Sequence, residues 1–174
     1  MFPYRNEDLR DTPLGTDRAA FSCGQADLDE YFCRHHIDDD VKRGVTRAYV
    51  LTNTTGGLIG YYTLSNYAIA RTLLSSSLER KVGYEVVPAI LLGRLAIQTP
   101  LHKQGVGRLL LFRAQVRAVD ASRQCAARVL IVDTVDDHAR NFYKRNDFQK
   151  LKGDSEQYFL DLKWIEKRLG AAAQ

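Results

Sequence analysis

The residues that staple, interrupt or anchor a fold are scarce in this chain. Its 174 residues hold three cysteines, Cys23, Cys33 and Cys125, too widely spaced for a zinc motif or a paired disulfide framework. His35 and His36 stand near Cys33, but adjacent residues of a helix point in different directions, so no metal site is expected. Four prolines and twelve glycines form no long flexible linker. No apolar run reaches the roughly 20 residues of a membrane span, and no secretory leader is recognisable; the cytoplasm is the expected compartment, with no membrane partner. No segment ends in Gly-Lys-Ser/Thr, so no P-loop is expected, and Gly105-Val106-Gly107 is followed by Arg108-Leu109-Leu110 rather than by the third glycine of a dinucleotide fingerprint. No isolated Glu or His stands out as an obligatory general base.

What is present reads as a folded domain. Hydrophobic residues make up 45% of the chain, enough to build a core instead of a disordered coil, and the length fits one domain. One domain over residues 1–170 is expected, with a disordered end at 171–174. Charge is uneven. The net charge is +4, but Arg94 to Arg128 holds seven basic residues against the single acid Asp120, or +6, leaving −2 for the remainder. Such a concentration suits phosphate-rich ligands and nucleic acid, and equally suits a solvated helix surface.

The most informative stretch runs from Leu91 to Leu111, LLGRLAIQTPLHKQGVGRLLL. A strand-like apolar run through Ile97 ends at Pro100, and a glycine-bearing turn leads into a second apolar segment with helical spacing. Glycines at 105 and 107 let the backbone approach an extended ligand and adopt dihedrals that side chains oppose. The N–H groups that open the helix have no intrahelical acceptor and can face phosphate oxygens, with Lys103 and Arg108 close by to match the charge. The same pattern also describes a plain strand-to-helix connection closed by packing glycines.

Around this stretch the patterns predict a helix from Asp27 to about Arg34, burying Leu28 and Phe32. The acids Asp38 to Asp40 are expected to end and solubilise it. Thr46–Leu51 and Leu58–Ser65 read as a hairpin across Thr54-Thr55-Gly56-Gly57, with Tyr61 and Tyr62 expected to pack in the sheet. Pro88 marks entry to a strand over Ala89–Ile97. Arg94 interrupts that strand and suits either phosphate or a structural ion pair. In the following helix Val106, Leu109, Leu110, Phe112, Val116 and Val119 form the expected packing face, and Arg113 and Arg117 a basic strip. A strand at Val129–Val132, a helix over Asp136–Asn146, strands near Phe148–Leu151 and Gln157–Leu162 and a short final helix complete the chain, with Phe159 and Trp164 in a core or interface.

His102-Lys103-Gln104-Gly105-Val106-Gly107 resembles the signature of the GNAT N-acetyltransferases: Gln or Arg, two arbitrary residues, Gly, one residue, then Gly or Ala. His102 departs from the usual first residue. Phe21-Ser22-Cys23-Gly24 with Leu28-Asp29, then Gly60-Tyr61-Tyr62-Thr63-Leu64-Ser65, Leu92-Gly93-Arg94-Leu95-Ala96-Ile97, and Ala139-Arg140-Asn141-Phe142-Tyr143 with Phe148, look like successive blocks of the TacT-like acetyltransferase toxins. The resemblance spans residues 20–162.

It implies an α/β fold, a single GNAT domain over 1–170 whose central, mostly antiparallel twisted sheet contains a splayed parallel strand pair and is flanked by helices. It implies acetyl-CoA as donor, held by Leu95, Ala96, Ile97, His102, Lys103, Gln104, Gly105, Val106, Gly107, Arg108, Asn141 and Phe142, with Tyr143 as the acid that protonates the departing sulfur. Arg94, Arg113 and Arg117 are candidate substrate contacts. The implied acceptor is the α-amine of aminoacyl-tRNA, whose acetylation blocks translation. A ribbon-helix-helix antitoxin and a homodimer are the implied partners. A free α-amine has a reference pKa near 7.7 against about 10.4 for lysine, so more of it is neutral and nucleophilic at working pH. Acetylation of a small-molecule or protein amine, and noncatalytic binding of RNA or coenzyme A, are the alternatives.

Overall fold

Tyr4–Asp8 (β1), Arg47–Asn53 (β2), Leu58–Ala70 (β3), Val86–Ile97 (β4), Val129–Asp133 (β5), Gln149–Lys150 (β6) and Gln157–Asp161 (β7) form one sheet in the order β1-β2-β3-β4-β5-β7-β6. The computed structural model describes residues 4–9 and 16–172. The helices are Ala26–Cys33 (α1), His36–Lys42 (α2), Ser76–Glu79 (α3), Val106–Gln124 (α4), Asp137–Lys144 (α5) and Leu162–Ala172 (α6). Ala171 and Ala172, expected to be a frayed end, belong to α6; residues 173 and 174 lie outside the described residues.

The sheet is mostly antiparallel, and β4 with β5 is the one parallel pair among the described residues. Parallel neighbours need a long crossover, and α4 supplies it. Their ladder runs from Ala89↔Val129 to Leu92↔Val132, while β4 continues to Ile97. No helix among the described residues is long and apolar enough to cross a membrane.

Contacts divide the chain into two compact units. The first comprises Met1–Ser65 and Gly93–Ala114. Its core gathers Phe21, Phe32, Ile37, Ala48, Val50, Tyr61 and Ala96. Phe32 stacks on Tyr61 at 4.4 Å, and Phe21 meets both rings edge-on, an aromatic cluster that buries large area with preferred ring geometry. The expected hairpin joins β2 to β3 through Gly56 at φ 87°, and Asn53 Oδ1 captures the N–H groups of Thr55 and Gly57. Tyr61 and Tyr62 are buried as expected.

In α1 the buried pair is Tyr31 and Phe32, with Leu28 half-buried. The acidic run corrects the expectation of a helix end meeting water. Asp38, Asp39 and Asp40 lie in a second helix, α2, where Asp38 pairs with the buried Arg18 at 2.9 Å and Asp40 accepts the Tyr31 hydroxyl at 2.8 Å. A buried guanidinium demands such a partner, which composition alone does not reveal.

The second unit comprises Asn66–Leu92 and Gln115–Gln174. Ile69, Leu74, Leu78, Val87, Ala89, Val129, Ile131, Leu151 and Phe159 make its core. β5 and β7 pair antiparallel from Val129↔Asp161 to Asp133↔Gln157. Phe159 is buried, whereas Trp164 is exposed under the Arg168 guanidinium at 4.6 Å. In α4 the buried positions are Val106, Leu110, Leu111, Ala114, Ala118 and Val119, and Phe112 is exposed. Alanines at 114 and 118 extend the packed stripe, which is why weighing only the large apolar residues misplaces the face.

Gly60 shows how closely β3 approaches β4 in the first unit. A Cβ built there would sit 2.4 Å from the Ala96 carbonyl oxygen, a backbone atom that cannot step aside. Gly60→Ala is expected to lower stability by about 2 kcal/mol, measured from denaturant midpoints. Gly83→Ala, whose Cβ would meet nothing within 4 Å, is expected to change it by no more than about 0.5 kcal/mol. Equal midpoints for the two variants would contradict the close approach.

Candidate functional site

At Ile97 the chain leaves β4 and is bent into α4 by a series of short hydrogen bonds. Gln98 is fastened to β3 twice, by its N–H to the Ile59 carbonyl and its side-chain amide to the Leu58 carbonyl, both at 2.9 Å. Thr99–Leu101 forms a single 3-10 turn with Pro100 inside it, where the fixed φ of proline fits. The His102 N–H closes onto the Thr99 carbonyl at 3.1 Å. His102 Nε2 lies 3.1 Å from the Ile97 carbonyl, so that nitrogen carries the proton, and the Gln104 amide donates to the Pro100 carbonyl at 2.7 Å. Both side chains brace the turn's own backbone.

Gly105 sits at φ 82° with nothing within 4 Å of where a Cβ would be. It is therefore needed for its left-handed dihedral and has open space beside it. Lys103 is left-handed too, at φ 60°. Gly107 differs from the sequence expectation: it lies inside α4 and has no positive φ. Leu109 N–H returns to the Gly105 carbonyl at 3.1 Å, and the first-turn N–H groups ahead of it have no intrahelical acceptor by helix geometry. Val106 is buried and fixes the helix start, while Lys103 and Arg108 are exposed and pair with no carboxylate among the described residues. Oriented N–H groups, an open glycine face and two available cations fit a diphosphate.

Leu95, Ala96 and Ile97 occupy the last positions of β4, with Ala96 buried and its neighbours half-buried. The Arg94 guanidinium carbon lies 3.5 Å from the centroid of the Tyr31 ring, a cation–π contact. Arg113 and Arg117 are half-buried, and each already has an interaction partner. They are not a freely solvated strip.

The other predicted residues lie on α5, in the second unit. Asp136 starts this helix by accepting the Ala139 N–H at 2.7 Å, a side-chain N-cap. Asn141 is exposed and Phe142 half-buried. Tyr143 is buried, with the Phe142 and Phe148 rings edge-on to it at 5.2 Å each. Burial, reinforced by the negative charge of Asp133, pushes its phenol above the ordinary value, because an apolar surrounding disfavours the anion. Among the described residues no group hydrogen-bonds its hydroxyl. Tyr31 and Tyr61, also buried, donate theirs to Asp40 and to the Leu28 carbonyl at 2.8 Å. A protonated hydroxyl without a protein partner is available to a ligand.

Sequence reasoning missed several supporting residues. Gln157 Nε2 holds Asp133 at 2.8 Å and also reaches the Tyr67 hydroxyl at 3.2 Å, a link across strands that no local pattern encodes. Ser22 and Thr99 are joined although 77 positions apart. Gly60 was legible in principle, since a glycine inside a strand marks close backbone approach.

No protein-family model matches the chain. A tRNA-acetylating toxin of Mycobacterium tuberculosis (strain ATCC 25618 / H37Rv) is 32% identical over 133 residues, 76% of this chain and 78% of that protein. The structure of AtaT complexed with acetyl-methionyl-tRNAfMet is similar with a TM-score of 0.86 and 30% identity, covering 95% of this chain and 99% of that one. A Tyr-to-Phe mutant of AtaT bound to the C-terminus of the antitoxin AtaR and acetyl-CoA gives a TM-score of 0.81 and 27% identity, over 96% and 98% of the two chains. With this identity, this coverage and this structural similarity, the chain belongs to the TacT-like family of GNAT acetyltransferase toxins.

Proposed function

We propose that this protein is an acetyl-CoA-dependent N-acetyltransferase acting on the α-amine of aminoacyl-tRNA, a toxin that blocks translation. The observation that carries the reading is a helix start with oriented, unfilled N–H groups beside an open glycine, in a chain whose relatives act on or bind tRNA. Acetyl-CoA supplies the acetyl group as an activated thioester. The backbone N–H groups of residues 104–108, with Lys103 and Arg108, hold its diphosphate. The end of β4 at Leu95, Ala96 and Ile97 offers backbone N–H donors for the thioester carbonyl. The family resemblance assigns Asn141 and Phe142 of α5 to the donor as well. His102 and Gln104 serve by bracing the turn.

Tyr143 holds a proton at its hydroxyl and gives it to the departing thiolate. Its buried surroundings keep the phenol neutral, the form an acid must have. A neutral α-amine needs no strongly basic residue to activate it, consistent with the lack of an obvious base in the sequence. Arg94, Arg113 and Arg117 contribute to the acceptor side through the positive potential they create. The family resemblance, and AtaT bound to AtaR, support an antitoxin as partner. We assign to it the ribbon-helix-helix class, place the toxin as a homodimer in the cytoplasm where charged tRNA resides, and treat residues 1–170 as one GNAT domain.

Purified protein incubated with acetyl-CoA and mixed charged tRNAs is expected to yield N-acetyl-aminoacyl-tRNA, with little turnover of free amines. Turnover of small-molecule or protein amines in place of charged tRNA would overturn the acceptor assignment. Tyr143→Phe is expected to cut the rate by about 100-fold or more and to leave coenzyme A affinity within about twofold, read by calorimetry. Wild-type turnover in that variant would remove Tyr143 from the acid role.

The pH dependence has a definite sign. Because the folded state raises the Tyr143 pKa, the proton stays on through the unfolded value of about 10 and is lost only as pH rises further. Phenolate absorbance in the wild type minus that in Tyr143→Phe is expected to stay at zero up to about pH 10. A difference band growing in below that pH would contradict the buried, protonated phenol.

A further inference from the structure

The block Phe21-Ser22-Cys23-Gly24 with Leu28-Asp29 has no part in the chemistry above, yet the structure ties it to the donor turn. Asp29 stands in the first turn of α1, where a carboxylate meets free N–H groups. Its Oδ1 accepts the Cys23 N–H at 2.7 Å and its Oδ2 the Ser22 hydroxyl at 3.0 Å, so both oxygens are spent on the loop that precedes its own helix. Gly24 bends that loop at φ 84°, and Phe21 anchors it by its edge contacts with Phe32 at 5.1 Å and Tyr61 at 5.7 Å.

The Ser22 carbonyl, held in this way, accepts two hydrogen bonds from one residue: the Thr99 N–H at 2.9 Å and the Thr99 hydroxyl at 3.0 Å. Thr99 opens the 3-10 turn whose next bonds, His102 N–H to Thr99 and the Gln104 amide to Pro100, lead directly to Gly105. All of these residues lie in the first unit. Burial opposes the charged form of Asp29, but hydrogen bonds from the Cys23 N–H and thiol, the Ser22 hydroxyl and the Gly24 N–H outweigh it and hold the carboxyl below its ordinary value. The anchor is therefore an anion throughout neutral pH, and hydrogen bonds to a charged acceptor are stronger than neutral ones.

We propose that Asp29 is a positioning residue for donor binding, setting the angle of the Thr99–Gly105 turn through the Ser22 carbonyl without touching the donor itself. The proposal rests on the donor reading given above and adds to it a route from the amino-terminal block to the helix start. Donors must hold their roughly 3 Å separation from the phosphate oxygens to within a few tenths of an ångström to count. A loop that shifts by that amount weakens binding while leaving the chemical step unaltered.

Coenzyme A is titrated calorimetrically into the full chain carrying Asp29→Ala, Asp29→Asn, Thr99→Val, or Asp29→Ala with Thr99→Val, and kcat and KM are measured beside it. Asp29→Ala is expected to weaken coenzyme A by about tenfold and Thr99→Val by about threefold. The double variant is expected to lose less than the product of the two, because both act through one carbonyl. Asp29→Asn keeps an acceptor for the Cys23 N–H and is expected to recover most of the affinity. KM for acetyl-CoA rises in step, with kcat and KM for charged tRNA unchanged, a split that loss of folded protein alone does not produce. If Asp29→Ala fails to fold, Asp29→Asn and Thr99→Val carry the test, and wild-type affinity in Thr99→Val overturns the proposal. Fully multiplicative losses, or a fall in kcat with unchanged KM, overturn it as well. A wild type that binds no coenzyme A rejects the donor reading itself, and this link with it.

Discussion

A short turn joins the end of β4 to helix α4, whose first N–H groups have no carbonyl partner among the described residues. Keeping that hydrogen-bonding capacity unfilled and correctly aimed is the constraint the rest of the first unit serves. A backbone bent so sharply has to be held from several sides, and it is: by Gln98 on two carbonyls of β3, by Thr99 on Ser22, and by His102 and Gln104 on the turn itself. Gly60 contributes by letting β3 come against Ala96 where any side chain would push it away.

Donors supplied by backbone make the site tolerant of side-chain change. Hydrogen bonds to a charged group contribute about 1.5–3 kcal/mol each, so several N–H groups outweigh any one side chain in the turn. His102, which stands where the family usually has Gln or Arg, illustrates this. Its ring is engaged with the Ile97 carbonyl, so the side chain braces the turn and the donors facing the ligand side are backbone N–H groups. The role proposed for Tyr143 rests instead on its side chain. Burial against Phe142 and Phe148 favours the protonated phenol, and among the described residues no group hydrogen-bonds its hydroxyl.

Much of the architecture could be read along the chain because its signals are local. The hairpin at Asn53–Leu58, the strand ending near Pro100, and the amphipathic helices on either side of β5 all follow from spacing and turn residues. Local signals mislead where distant residues decide. Asp38 and Asp40 looked like a solvated run because their partners, Arg18 and Tyr31, are set by packing. An apolar pattern carries the packed face of α4 through Phe112 because alanine has little weight in it, whereas Ala114 and Ala118 are fully buried and Phe112 is exposed. In the candidate site, Gly105 was legible from the motif, while Gly107 turned out to need no unusual dihedral. The partnership of Ser22 with Thr99 left no trace in spacing, since a carbonyl oxygen belongs to every residue.

The most direct test is a crystal structure of the protein with coenzyme A bound. Diphosphate oxygens within hydrogen-bond distance of backbone N–H groups among residues 104–108, beside Gly105, are the predicted result. A diphosphate held by side chains alone, or seated away from the start of α4, would contradict the account.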